Sequence, residues 1–155
     1  MGLAFASLSH SAVNTPNVKA TGTYAKTNYP ILYLHGTFGF DRLGGSTFGM
    51  DYFYQVLPDL ARNGATTYAA QVSPLESTEI RGEQLLSQVE EVLAITGQSK
   101  LNLIGHSHGG PTSRYIEIVK PQYVASLTGV GGTFRGSKVA DLVLSNNAST
   151  ALVSA

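Results

Sequence analysis

Apolar residues recur along this chain in two rhythms. Four short, nearly continuous runs, Pro30–Leu34, Thr66–Val72, Lys100–Ile104 and Tyr123–Val130, suit strands of a parallel sheet buried on both faces. Between the second and third runs, Ile80, Leu85, Leu86, Val89, Val92 and Leu93 fall at helical spacing and give one helix an apolar face. Ser77 or Thr78 caps that helix, Glu79 and Glu83 lie near its positive end, and Gly97 stops it after Thr96. The segment Tyr52 to Arg62 is predicted to hold a shorter helix, with Pro58 at a first helical position and Gly64 as its stop. Another opens at Pro111 and runs towards Val119, ahead of Pro121. The segment Gly36 to Gly49 reads as a glycine-rich loop. Strands alternating with helices predict an α/β fold, with about four parallel strands joined by right-handed crossovers.

Composition narrows the classes. A chain of 155 residues suits one domain rather than two. Lys+Arg and Asp+Glu both count 10, and this balance argues against nucleic-acid binding, which calls for a basic face. A hydrophobic fraction of 43% with zero net charge excludes disorder. The absence of cysteine removes a disulfide framework and thiolate metal sites. No apolar run approaches the roughly eighteen residues of a membrane span. Residues 1–12 are small, apolar and uncharged, like the end of a secretory signal peptide, with Ala4 to Ala6 or Ala12 at the cleavage point. Residues 13–28 read as an extended lead-in, and 29–155 as the folded part.

Candidate chemistry lies after the third strand, in Gly105-His106-Ser107-His108-Gly109. A G-x-S-x-G pentapeptide is weak by itself. Between an apolar strand and a helix start it marks a nucleophile elbow, where a sharp turn lifts the serine Oγ above the sheet. The flanking glycines allow strand and helix to approach, and the new helix points its unpaired N–H groups at the site. Acyl transfer also needs donors for the tetrahedral oxyanion. The backbone N–H of His108 is one, and the turn after the first strand, His35-Gly36-Thr37, offers the N–H of Thr37 as the other. No G-x-G-x-x-G follows the first strand, so a dinucleotide site is not expected.

His35-Gly-Thr-Phe-Gly-Phe-Asp41, Ile80-Arg-Gly-Glu-Gln-Leu-Leu86, Asn102-Leu-Ile-Gly-His-Ser-His-Gly-Gly-Pro111 and Gly136-Ser-Lys-Val-Ala-Asp141 resemble the bacterial family I, Pseudomonas-type, triacylglycerol lipases. The resemblance runs from about Thr27 to Leu144. It implies a secreted α/β-hydrolase that cleaves long-chain acylglycerols at an oil–water interface. It further implies a dedicated membrane-anchored foldase and a structural calcium ion bound beyond residue 155. Carried over by position, Ser107 is the nucleophile, and Thr37 and His108 supply the oxyanion N–H groups.

In this fold the order is Ser, then Asp or Glu, then His. The histidines here are His10, His35, His106 and His108, and only the elbow's own neighbour follows Ser107. The rings of His106 and His108 should project away from Oγ. Asp141 falls where the family's segment leads into the lid, and reads as structural. The expectation is therefore the N-terminal half of a lipase, with the fourth strand as an edge, and with no useful lipase activity in these 155 residues alone. Asp41 and Arg81 are expected to pair and pin the oxyanion loop. Phe38, Phe40, Phe48 and Tyr52 to Tyr54 give that loop an apolar, aromatic character suited to an acyl chain. A short-chain esterase or thioesterase shares the chemistry and differs in lid and acyl pocket. A non-catalytic binding protein derived from a hydrolase has no need of an intact elbow serine.

Overall fold

A computed structural model describes residues 13–136 other than 38, 40, 41 and 45–48, together with 138, 141, 142 and 145; for 42–44 and 49–51 it describes the backbone. In chain order the elements are β1 (Ile31–Leu34), β2 (Arg42–Gly44), β3 (Gly49–Asp51), α1 (Val56–Arg62), β4 (Thr67–Ala70), α2 (Thr78–Thr96), β5 (Leu101–His106), α3 (Gly109–Val119), a 3-10 turn (Pro121–Tyr123) and β6 (Val124–Val130). Strands β4, β1, β5 and β6 form one sheet in that order. All three pairings in it are parallel. The strand and helix alternation of the sequence thus gives the doubly covered parallel sheet it predicts.

The reason lies in β1, whose residues are all buried. Leu32 and Leu34 face one core with Tyr68, Leu85, Val89, Val92, Leu101, Leu103 and Ile116. Ile31 and Tyr33 face the other, with Leu57, Ala65 and Ala69. A strand that must be apolar on both sides shows a continuous run rather than alternation. Truncating any of the fully buried leucines to alanine costs about 2–5 kcal/mol.

Helix α2 follows its local signals closely. Ser77 Oγ accepts the Ile80 N–H at 3.4 Å, and Gly97 ends the helix at φ 65°. Its buried stripe, however, is Arg81, Gly82, Leu85, Gln88, Val89 and Val92, whereas Ile80 is 47% exposed. The helix is rotated so that polar Arg81 and Gln88 point inward. There Gln88 Oε1 accepts the Gln71 N–H at 2.9 Å and its Nε2 donates to the Gln71 carbonyl at 2.7 Å. One turn earlier, Gln84 Oε1 accepts the Ser73 N–H at 2.7 Å. These amides stand in for a strand partner beyond the end of β4.

Other boundaries differ from the sequence reading. Residues Gly36 to Gly49, read as loop, include one strand of the antiparallel β2–β3 pair. Helix α1 starts at Val56, so Pro58 is its third residue, and Gln55 before it has φ 62°. Helix α3 starts at Gly109, two residues before Pro111. Residues 13–28 hold one antiparallel bridge, in which Asn14 N–H donates to the Ala69 carbonyl at 3.0 Å and Ala69 N–H to the Asn14 carbonyl at 2.7 Å. At the opposite margin of the described sheet lies β6, whose residues are mostly exposed. The segment 1–12, read as signal-like, lies outside the described residues.

Candidate active site

Ser107 sits between the end of β5 and the start of α3 at φ 53°. That left-handed conformation costs an L-residue roughly 1–2 kcal/mol. Hydrogen bonds on both sides hold it: Ser107 N–H donates to the Val130 carbonyl of β6 at 2.9 Å, and Gly110 N–H donates to the Ser107 carbonyl at 3.0 Å. The flanking glycines are sterically required. A Cβ on Gly105 would penetrate the Gly109 carbonyl group, and one on Gly109 would lie 2.5 Å from the Leu34 carbonyl oxygen. The 11-residue helix α3 therefore starts directly above the sheet, with its N-terminal dipole end beside the serine.

The turn after β1 abuts this elbow. A Cβ on Gly36 would stand 2.8 Å from Ser107 Cβ and 3.3 Å from its Oγ, so only glycine lets the two meet. The turn's backbone groups are engaged in order. Arg81 Nη2 donates to the His35 carbonyl at 2.8 Å, and Gly36 N–H donates to the Tyr52 hydroxyl at 3.3 Å. The Gly36 carbonyl accepts Gly39 N–H at 3.1 Å and lies 2.9 Å from His35 Nδ1. In a trans peptide the N–H opposes the C=O. With the Gly36 carbonyl turned towards His35 and Gly39, the Thr37 N–H faces the other way.

Arg81 is fully buried. Besides the His35 carbonyl, it donates from Nη1 to the Ser73 carbonyl at 2.9 Å and from Nε to Thr112 Oγ1 at 3.3 Å. Burial pushes the pKa of the guanidinium down. Asp41, expected as its partner, lies outside the described residues. The structure gives Arg81 a hold on the His35–Thr37 turn through the His35 carbonyl and on α3 through Thr112, contacts the sequence reading did not name. Thr112 Oγ1 in turn donates to the His108 carbonyl at 2.9 Å.

The histidine rings find hydroxyls. His106 Nδ1 is 2.6 Å from the Tyr52 hydroxyl. His108 Nδ1 is 3.3 Å from Thr37 Oγ1, and its Nε2 is 2.8 Å from Thr78 Oγ1 at the start of α2. Burial first, and then the charge of Arg81, hold the His108 pKa below its usual 6.5, with Glu79 opposing. Tyr52 and Thr78 carry no motif of their own; only their place near a loop and a helix cap could have pointed to them. Phe38, Phe40 and Phe48 lie outside the described residues, while Tyr54 is 68% exposed and Phe53 packs on Tyr33 at 5.2 Å. Among the described residues no cluster of three His, Cys, Asp or Glu side chains could hold a metal ion. Nor is any described helix long and apolar enough to cross a membrane.

A strained serine at a parallel strand-to-helix turn, facing a His-Gly turn on the adjacent strand, is the site architecture of α/β-hydrolases. Residues 29–151 match the family model for the alpha/beta hydrolase fold, and the chain belongs to that family. Within it, the chain is 58% identical over 120 residues to a triacylglycerol lipase of Vibrio cholerae, a match covering 77% of this chain and 37% of that protein. It is 47% identical over 132 residues to a triacylglycerol lipase of Burkholderia plantarii, covering 83% of this chain and 36% of that one. The chain thus spans little more than a third of these curated relatives. The fold of mature Bacillus licheniformis lipase BlEst2 superposes with a TM-score of 0.65 at 24% identity, covering 83% of this chain and 50% of that one.

Proposed function

We propose that these residues form the nucleophile and oxyanion half of a serine ester hydrolase acting on long-chain acylglycerols, a triacylglycerol lipase. The observation that carries this reading is the strained Ser107, held at φ 53° against Gly36 of the turn that bears the Thr37 amide. Ser107 Oγ attacks the ester carbonyl carbon. The carbonyl oxygen takes up the negative charge and receives the N–H groups of Thr37 and His108, which are pre-aligned and cost no reorganisation as that charge develops. Collapse of the intermediate expels the alcohol and leaves an acyl-serine, which water hydrolyses to the free fatty acid.

A serine hydroxyl needs a general base to attack. The nitrogens of His106 and His108 lie against Tyr52, Thr37 and Thr78, and His35 is buried beneath the turn. The base and its carboxylate are thus assigned to residues other than those described here, in the fold's order after Ser107. Secretion, a dedicated foldase and a structural calcium belong to the same reading; calcium would be held by residues other than those described, and no step here passes through it. The similarity to triacylglycerol lipases supports the acylglycerol substrate.

A fluorophosphonate probe tests the reading, applied to the complete polypeptide encoded by the gene and to the 155-residue chain. Rapid labelling of the complete polypeptide, lost in Ser107→Ala, together with fatty-acid release from a triacylglycerol emulsion, is expected. Labelling that survives Ser107→Ala would overturn the assignment of the nucleophile. Equal labelling of the 155-residue chain would show a base within these residues.

A further inference from the structure

We propose that the His108 imidazole is a positioning residue that sets the spacing between the two oxyanion donors. The proposal rests on the assignment of Thr37 and His108 given above. His108 supplies one donor from its backbone, at the first turn of α3, while its side chain reaches the residue that supplies the other. Its Nδ1 lies 3.3 Å from Thr37 Oγ1 and its Nε2 lies 2.8 Å from Thr78 Oγ1. An imidazole bonded at both nitrogens cannot swivel about its ring torsion. Thr78 opens α2, whose first turn is closed by the Ser77 cap, so the Nε2 end is anchored in a long helix.

Threonine transmits that anchoring. Its hydroxyl oxygen is only two bonds from Cα, so fixing Oγ1 restricts where the Thr37 backbone lies. The turn carrying Thr37 is held on its inner side by Arg81, Tyr52 and His35. The described side-chain contact to Thr37 itself is the one from His108. The ring therefore couples α2, the elbow and the oxyanion turn at the point where the two N–H groups must converge on one oxygen. A neutral imidazole has one donor and one acceptor nitrogen, and each threonine hydroxyl can take either role. With both nitrogens so engaged the ring is a strut, not a proton carrier.

A double-mutant cycle in the complete polypeptide tests this, read as kcat and KM on a soluble p-nitrophenyl ester. His108→Leu and Thr37→Val each keep the backbone donors and remove the hydrogen bond. Each is expected to lower kcat about tenfold, less than the hundredfold or more for deleting an oxyanion donor outright, with KM little changed. The double variant should be no slower than the slower single one, because both remove the same bond. Thr37→Ser should restore most of the rate. Losses that multiply in the double variant, that appear in KM, or that Thr37→Ser fails to rescue would overturn the proposal. Should His108→Leu fail to fold, Thr37→Val with Thr78→Val forms the same cycle across the ring. Ser107→Ala separates the two levels: retained hydrolysis removes the enzyme reading, whereas a dead Ser107→Ala with an additive cycle removes the strut alone.

Discussion

His35 Nε2 accepts the backbone N–H of Val72 at 3.3 Å. A backbone N–H can only donate, so Nε2 carries no proton and the ring is the neutral tautomer protonated at Nδ1. That proton faces the Gly36 carbonyl, 2.9 Å away. The peptide plane beyond it presents the Thr37 N–H in the opposite direction. Gly39 completes the arrangement, since a Cβ there would stand 2.5 Å from His35 Nδ1. One buried imidazole thus binds the chain just beyond β4 on one side and orients the Thr37 N–H, the proposed oxyanion donor, on the other.

His35→Leu comes close to the volume and removes both contacts. It leaves the Val72 N–H without this acceptor in a buried place, a loss of about 2 kcal/mol measurable by urea denaturation of the complete polypeptide. We also predict a lower kcat, because among the described residues the Gly36 carbonyl keeps only the Gly39 N–H as a partner. Long-range 1H–15N NMR of the wild type should show His35 as the Nδ1–H tautomer. An Nε2–H signature would sink the argument.

Backbone strain at Ser107 gives a second expectation. Ser107→Ala and Ser107→Gly both remove the proposed nucleophile, but only glycine tolerates φ 53° without a Cβ penalty. Ser107→Gly should be about 1 kcal/mol more stable than Ser107→Ala in thermal or urea unfolding. Equal stabilities would mean the elbow relaxes when the hydroxyl is lost. The wild-type protein then carries strain to hold Oγ at the tip of the turn, at the place where stability and activity are expected to conflict.

Much of this was legible in the sequence where the cause is local. Ser77 and Gly97 bound α2 because an N-cap hydroxyl and a left-handed glycine act within a few residues. The elbow was legible because Gly105 and Gly109 answer a steric demand between adjacent elements. The exposure of Ile80 and the acceptors of Arg81 were not. Periodicity assigns the isoleucine to the core, but three acceptors from β1's end, the β4–α2 connection and α3 converge on the arginine, and that convergence exists only after folding. The β2–β3 pair was hidden for a related reason: short, glycine-rich strands carry little apolar alternation.

Arg81 therefore has a prediction of its own. Arg81→Met keeps an apolar stem and leaves the His35 and Ser73 carbonyls and Thr112 Oγ1 without their donor. With each orphaned buried acceptor worth about 1 kcal/mol or more, a loss near 3 kcal/mol is expected in urea denaturation. Arg81→Lys should recover only part, since an ammonium lacks the planar fork that reaches separate acceptors. Full recovery by lysine would show that charge alone matters there.

Acid should expose His108. Burial and Arg81 lower its folded-state pKa from 6.5, with Glu79 pulling the other way. The folded state disfavours the protonated ring, while the unfolded chain titrates near the ordinary value. The stability linked to the neutral ring is thus fully present above 6.5, falls away as pH drops towards the folded-state value, and changes no further below it. His108→Gln cannot titrate, so the stability difference between wild type and this variant should be constant above about pH 7 and shift against the wild type on acidification. Urea titrations across that range make the comparison. Both threonine hydroxyls can accept from an imidazolium, so the strut's geometry should survive this titration and the stability difference should carry its signature. A difference that does not vary with pH would mean the ring is as well solvated in the folded protein as in the unfolded chain.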